Sequence, residues 1–352
     1  MGLRSVIVYP LAILSITTIF TSCKSGDHPD VSGIRVNLET QRFEKDFFAI
    51  DTNNLDEGLR KMQSLYPTFF PDFVKGILGL PPLNAGAPET VASIKRFIGD
   101  YKPVKDSADK VFKNLDKATD DIKEGLRYVK HYYPSYKTPE KFITFIGPMD
   151  ANFEASTASY GDALTEEALI SGLQLHLGSK FSMYTSEIGQ GLYPAYISRK
   201  FAPEYIPVNA IKNVIDDLYP ENTSGKSLVE KMVEKGKRLY LLDKFMPETA
   251  DTLKIGYTDR QLKGCFENEG LIWNFILANS LAFNTDPGII KGYIGESPNT
   301  PELGEGSPGY IGLFIGRQIV RKYAEKFPDA KPEEIMKMDA RKLFEQSKYR
   351  PK

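Results

Sequence analysis

Histidine, tryptophan and cysteine are scarce in this chain of 352 residues, which contains 3 His, 1 Trp and 2 Cys. Three histidines leave little material for a histidine-rich metal site. The formal net charge is -1, so there is no electrostatic reason to expect a nucleic-acid partner. The remaining composition, 41% hydrophobic and 26% charged, is that of an ordinary globular protein of one large domain or two small ones.

The N-terminus has the pattern of an export signal. One basic residue, Arg4, precedes an uncharged run over residues 5–22, which is too short and too rich in Ser and Thr for a comfortable membrane span. The segment FTSC, ending at Cys23, resembles a bacterial lipobox, although Phe20 stands where Leu is usual. We therefore expect residues 1–22 to be a signal peptide and Cys23 to carry the lipid, including palmitate. The alternative is an ordinary signal peptide that happens to contain a cysteine.

Beyond Cys23 the sequence predicts a short tether and a single domain. Residues 23–33 are polar and rich in turn formers, whereas residues 34–352 show neither a repeat nor a low-complexity linker. Lipidation of Cys23 would leave Cys265 as the only thiol, so no intramolecular disulfide is expected. Cys265 has no histidine close in sequence, which favours a small helix residue over a catalytic thiol.

Hydrophobic periodicity predicts an α+β fold that is predominantly α-helical with a small β-sheet. Alternation in IRVNLE (34–39) and the apolar run KFITFIGP (141–148) predict strands. Thr165 reads as the N-cap of a helix through ALISGLQLHLG, and Ser227 as the N-cap of another. The remaining predicted helices in the second half of the chain cover residues 208–219, 226–241, 258–281, 309–326 and 332–346.

Two glycine-containing motifs resemble nucleotide-binding loops but lack the required context. Gly304, Gly306 and Gly309 match G-x-G-x-x-G, yet no apolar strand precedes them and no second strand follows. SGKS at 224–227 would need a glycine where Pro220 stands to be a phosphate-binding loop. We therefore expect no nucleotide and no other cofactor.

The glycines near residue 309 have a better structural explanation. Ser307 and Pro308 are suited to the N-cap and first turn of a helix. Inside that helix Gly309, Gly312 and Gly316 fall on one face. Because each mid-helix glycine costs about 1 kcal/mol relative to alanine, three on one face indicate that another backbone packs very closely there.

No residue carries a recognisable catalytic or metal-binding motif. If His176 began an H-E-x-x-H zinc motif, Glu would be needed at 177 and His at 180, but the chain has Leu177 and Lys180. His176 is therefore interpreted as a core or boundary histidine. Glu269 lies close to Trp273 in sequence, and burial there would raise its pKa, but no pattern places it in a cleft. We therefore expect no catalytic residue and no metal ligand; the alternative is a divergent hydrolase that uses Glu269 or His176.

Ordered sequence blocks carry a resemblance to a known family. The segment RFEKDFF (42–48) is followed by six further blocks: GLQLHLGSKFSMY, YPAYISRKFAPEYIP, LVEKMVEKGKRLYLLDKFMPET, IGYTDRQLKGCFENEGLIWNFI, GSPGYIGLFIGRQIVRKY and FEQSKYRPK. In this order they resemble the gliding-motility lipoprotein GldB family of Bacteroidetes. The resemblance implies a signal-peptide-bearing lipoprotein linked to gliding motility, and it transfers one functional residue, the lipid-bearing Cys23.

A more distant similarity, in helix order and in GYIGLFIGRQIV, is to a family of predicted zincin-type peptidases. It implies a zincin-like fold without the metal site. The missing H-E-x-x-H around His176 then argues against peptidase activity.

These observations predict a non-enzymatic cell-envelope lipoprotein that acts through protein contacts. The membrane would hold it through the lipid on Cys23, and its partners would be envelope proteins of the motility or secretion machinery. Lys24 and the lack of an acidic run after Cys23 favour the outer membrane, on its periplasmic side. The segment 178–207 is the expected contact surface because it combines Tyr184, Tyr193, Tyr196 and Tyr205 with Gly and Pro. The alternative is that these tyrosines pack over the core.

Overall fold

A four-stranded sheet divides the hydrophobic interior into two parts. The computed structural model describes residues 28–83, 88–150 and 161–352. The strands are β1 (Glu39–Arg42), β2 (Lys141–Phe145), β3 (Asp162–Leu164) and β4 (Ala168–Gly172). Their spatial order is β1-β2-β4-β3. Strands β1, β2 and β4 are parallel to one another, and β3 runs antiparallel to β4 at one edge of the sheet.

Helices make up most of the described chain, as predicted. In chain order they are α1 (Phe43–Phe48), α2 (Leu55–Leu65), α3 (Phe69–Asp72), α4 (Pro88–Asp100), α5 (Lys102–Val111), α6 (Asp116–Tyr132), α7 (Ser182–Thr185), α8 (Glu187–Leu192), α9 (Ala195–Ser198), α10 (Tyr205–Leu218), α11 (Leu228–Phe245), α12 (Asp251–Ile255), α13 (Asp259–Glu267), α14 (Glu269–Ala278), α15 (Pro287–Ile294), α16 (Ile311–Lys326), α17 (Pro332–Lys337) and α18 (Ala340–Ser347). A π-helical segment, Phe73–Ile77, and two 3-10 turns, Leu173–Leu175 and Pro301–Leu303, complete the helical elements. The α+β, predominantly helical class is confirmed.

The alternation of side chains along the central strands assigns them to two cores. Ile143 and Ile170 face a small cluster rich in phenylalanine, whereas Phe142 and Leu169 face the larger helical core. The small cluster is built from α1 to α4 and the π-helical segment, with Phe43 and Phe47 fully buried. Both sides of β4 are therefore covered, which explains why its sequence, ALISG, has no charged residue and is buried throughout.

The prediction of a helix that starts at Thr165 is wrong. Residues 168–172 form β4, and a 3-10 turn then leads to His176. In a short apolar run, hydrophobic periodicity does not distinguish a buried strand from a buried helix. Here the segment forms a strand because it pairs with β2 and β3. The first predicted strand is also displaced, since β1 begins at Glu39, where IRVNLE ends.

The glycine stripe of α16 does pack against another backbone. A Cβ on Gly316 would overlap the carbonyl oxygen of Met232, and a Cβ on Gly236 would overlap the backbone of Gly316. The glycines of α11 and α16 therefore let the two helix backbones touch, as the sequence predicted. The predicted start of the helix is wrong: α16 begins at Ile311, so Ser307, Pro308 and Gly309 lie before it, and the Ser307 hydroxyl donates to the carbonyl of Thr300 at 3.0 Å.

The N-cap predicted at Ser227 is confirmed. Its backbone N–H donates to the Glu230 carboxylate at 3.0 Å in a capping box. Residues Val31–Lys352 form one compact unit. Cys23 and the predicted signal peptide, residues 1–22, lie outside the described residues. Among those described, no helix is both long enough and apolar enough to span a bilayer.

Candidate functional site

His176 lies in a buried polar cluster next to the edge strand β3. Its Nε2 atom is 3.0 and 2.9 Å from the two carboxylate oxygens of Asp162, and its Nδ1 atom is 3.2 Å from the carbonyl oxygen of Ala202. Both ring nitrogens therefore face acceptors, and both hydrogen bonds form only when each nitrogen carries a hydrogen. Since His176 is 2% exposed, its ring is held inside the protein by these contacts to Asp162 and Ala202.

Asp162 is the acceptor at the centre of this cluster. As the first residue of β3 it lies opposite Ser171 of β4, whose hydroxyl donates to Asp162 Oδ1 at 2.5 Å. The amide of Asn209, on α10, donates to Oδ2 at 2.7 Å. Ser171 thus bonds to the carboxylate and not to His176, so these residues do not form a serine–histidine relay. The cluster joins the sheet edge to α10.

Glu269, the other candidate acid, has a structural role. Its carboxylate accepts from the Tyr349 hydroxyl at 2.7 Å and from the Gln318 amide at 3.0 Å. Burial, with the Glu269 carboxylate beside it, raises the pKa of Tyr349. Glu269 therefore joins the start of α14 to α16 and to the C-terminal residues, and both of its oxygens have protein partners.

Two tyrosines of the predicted contact segment are buried. Tyr184 donates to the carbonyl of Gln174 at 2.5 Å and accepts from the backbone N–H of Leu177 at 3.1 Å, and it is almost inaccessible to solvent. Burial raises its pKa. Tyr193 is buried as well. For these two residues the prediction of a surface role is wrong, and packing over the core is correct. Tyr196 and Tyr205 are partly buried.

The same segment exposes aliphatic side chains instead. Ile188 is 80% exposed and Leu192 is 46% exposed; they lie one turn apart on α8. Met183, on α7, is also exposed. A Cβ on Gly189 would overlap the carbonyl oxygen of Met183, so α7 and α8 pack tightly against each other. We refer to Met183, Ile188 and Leu192 as the α8 patch.

A small cavity borders the His176 cluster. Its volume is about 60 Å³, and the lining includes Asp162, His176 and Asn209 together with Lys200, Tyr205, Lys212, Glu296 and Tyr310. Lys200 forms an ion pair with Glu296. Burial and the neighbouring charge of Lys200 lower the pKa of Lys212 to about 8, although Glu296 and Asp216 act in the opposite direction.

A second group of charges lies further along α16. Arg317 is 1% exposed and makes a bidentate contact with Asp243, at 3.0 and 2.5 Å, and a third contact with Asp251 at 2.6 Å. Arg321 and Lys254 contact the same two carboxylates. Burial alone would raise the pKa of Asp251, but the Arg317 hydrogen bond and the surrounding cations lower it to about 2.

Metal binding finds no support in the described part of the chain. Over residues 28–83, 88–150 and 161–352, no group of three or more His, Cys, Asp and Glu side chains is arranged to hold an ion. His176, the residue considered for zinc, has both nitrogens directed at protein oxygens.

The fold and this site define a mostly helical α+β protein whose two candidate catalytic side chains are both engaged in bonds between elements of the fold. Residues 24–351 match the family model described as gliding motility protein GldB. The match covers nearly the whole chain, so the protein belongs to the GldB family and is associated with gliding motility. The family predicted from the ordered sequence blocks is thereby confirmed.

Neither a curated protein nor a solved structure matches the chain. The zincin-like form of the fold therefore stays a prediction.

Proposed function

We propose that this protein is a lipid-anchored envelope component that serves gliding motility by binding other proteins, without catalysis. Three observations support it: the family match over residues 24–351, the lipobox-like FTSC ending at Cys23, and the exposed α8 patch. The acyl chains on Cys23 would hold the chain at the membrane. Lys24 and the polar tether favour the periplasmic side of the outer membrane.

The α8 patch is the observation that carries the proposed contact function. An isoleucine that is four-fifths exposed gains hydrophobic free energy only if another surface covers it. Leu192 and Met183 are exposed apolar side chains of the same patch, and α8 is capped by Ser186, whose hydroxyl accepts from the Gly189 N–H at 3.0 Å. An exposed apolar surface on a capped helix suits recognition of another protein, because its backbone is already ordered before binding.

The bonding of His176 and Glu269 favours a non-enzymatic role. A general acid or base must direct an atom at substrate, whereas His176 directs both nitrogens at Asp162 and Ala202. Glu269 likewise gives both oxygens to Tyr349 and Gln318. The alternative function, a divergent hydrolase or peptidase of the envelope, would require these bonds to open. Peptide turnover by the purified protein that is lost in Glu269→Gln or His176→Gln would overturn the non-enzymatic proposal.

The anchor is tested by metabolic labelling with an alkyne fatty acid and by membrane fractionation. The chain offers a matched control, because Cys23 and Cys265 are its two cysteines. We expect Cys23→Ala to abolish labelling and to release the protein from the membrane fraction, and Cys265→Ala to retain both properties. A wild-type protein that takes up no label yet stays in the membrane fraction would contradict lipid anchoring.

A further inference from the structure

The cavity beside the His176 cluster contains one amine, that of Lys212, without a partner among the described residues. Lys200 is paired with Glu296, and His176 is paired with Asp162. Over the residues that the structure describes, Lys212 forms no hydrogen bond and no ion pair. Its charge is therefore the unbalanced one at this site.

The charged side chains described around Lys212 are paired with one another. One turn further along α10, Asp216 forms an ion pair with Arg238 at 2.7 Å. On α11, Lys235 donates to Glu221 at 2.7 Å and also to the Tyr310 hydroxyl at the cavity wall. Each neighbouring carboxylate among the described residues thus has a cation of its own, and none of them is left to neutralise Lys212.

Two tyrosine hydroxyls that can donate hydrogen bonds face the same cavity. Tyr205 lines it, and in the described part of the chain its hydroxyl has no hydrogen-bond partner. The Tyr310 hydroxyl accepts from Lys235, which leaves its own hydrogen free to donate. An ammonium group and two phenols therefore surround a volume of about 60 Å³, which is several times the minimum needed for one water and holds a group of a few heavy atoms.

We propose that this cavity is a binding site for one small oxyanion, a carboxylate or phosphate group, with Lys212 as its counter-ion and Tyr205 and Tyr310 as hydrogen-bond donors. The anion would supply the negative charge that no described carboxylate provides to Lys212. A charge-assisted hydrogen bond between an ammonium group and an oxyanion is among the stronger hydrogen bonds in proteins. This site is independent of the α8 patch, and it goes beyond the proposed contact function.

Proton linkage gives the site a characteristic pH dependence. With its pKa at about 8, Lys212 is protonated below that pH and ready to bind an anion. Above it, each unit of pH removes a further tenfold of the ammonium form, so affinity should fall tenfold per unit. The charged and titratable groups that face Lys212 are Lys200, Glu296, Asp216, Tyr205, Tyr310, the His176–Asp162 pair and, from α11, Lys235 and Arg238.

The test is the thermal unfolding midpoint of the full-length protein in detergent, titrated with sodium acetate or sodium phosphate at an ionic strength held constant with sodium chloride. We expect a saturable rise with one or both anions in the wild type and at least tenfold weaker binding in Lys212→Met. Lys231→Met removes a lysine of α11 that does not line the cavity and should bind as the wild type does. No rise beyond that in chloride, or an unchanged affinity in Lys212→Met, would overturn the proposal.

A measurement on the wild type keeps the test valid should Lys212→Met fail to fold. Acylation by a succinimidyl ester is followed at each lysine by peptide mass spectrometry. We expect the effective anion to slow acylation of Lys212 at least fivefold and to leave Lys231 unaffected. Equal slowing at both lysines, or at neither, would refute a site at Lys212.

Discussion

Two groups of charged side chains lie along α16 and differ in how they are balanced. Around Arg317 every cation contacts a carboxylate of Asp243 or Asp251. At the cavity lined by Leu313, one turn before Arg317, Lys212 has no such partner in the described residues. A buried cation that is fully paired contributes to the fold, whereas a partly buried cation without such a partner is available to a ligand. The predictions below test this difference, from the largest effect to the smallest.

Removing the paired cation should cause the largest loss. Arg317→Met leaves Asp243 and Asp251 without their main partner in a buried setting, so we expect the free energy of unfolding to fall by about 3–5 kcal/mol. Urea unfolding followed by circular dichroism measures it. Lys322→Met is the matched control, because Lys322 is on the same helix in an exposed pair with Glu325 and should change stability by about 0.5 kcal/mol or less. Similar losses in both variants would contradict the special status of Arg317.

The close contact between α11 and α16 should tolerate no methyl group. Gly316→Ala places a Cβ on the carbonyl oxygen of Met232, so the helices must separate, at a cost of about 1–3 kcal/mol or more. Gly264→Ala, on α13, meets open space and should be neutral or stabilising by up to about 1 kcal/mol. Thermal unfolding of the two variants decides the point, and equal effects would show that the glycine stripe has no packing role.

The Arg317 group should also weaken in acid. The pKa of Asp251 is lowered to about 2 and that of Asp243 is lowered too, because nearby cations outweigh the opposing effect of burial. A lowered carboxyl pKa contributes stability that is fully present above the ordinary value, near 4, and is lost as the pH falls towards 2. Urea unfolding from pH 5 to pH 2 should therefore show a steeper loss in the wild type than in Asp251→Asn. Parallel pH profiles would contradict the pairing.

The unpaired cation should matter least for stability. Lys212→Met removes an amine that has no partner in the described structure, so we expect an unchanged free energy of unfolding or a gain of up to about 1 kcal/mol in the absence of anions. The same urea experiment applies. A loss above about 2 kcal/mol would place Lys212 with Arg317 as a structural residue and remove the contrast between them.

Helix positions were predictable where a local period exists. The segments 208–219, 226–241 and 309–326 correspond to α10, α11 and α16, and the glycine stripe correctly indicated a close backbone contact. The predicted helix over 258–281 is divided at Asn268 into α13 and α14. The start of α16 was missed because Tyr310 adopts φ 62°, a tertiary constraint with no signal in residues 307–309.

The polar cluster could not be predicted, because tertiary pairing assembles it. Asp162 meets Ser171 through the register of β3 on β4, and it meets Asn209 through the packing of α10 against the sheet edge. His176 was correctly interpreted as a core histidine, yet its partner lies 14 residues away across the β3–β4 hairpin, whose second strand the sequence predicted as helix. The cavity lysines gave no signal either, since Lys200 and Lys212 resemble ordinary surface lysines in sequence.

The central claim, that the protein acts through contacts made by the α8 patch, is tested most directly by site-specific photocrosslinking in living cells. A photoreactive amino acid placed at Ile188 is compared with one at Leu271, a 69% exposed leucine of α14 that lies outside the patch. We predict discrete, reproducible protein adducts at Ile188 that are absent at Leu271 and that disappear when Leu192→Asp is added. No adduct at Ile188, or the same adducts at Leu271, would contradict the claim.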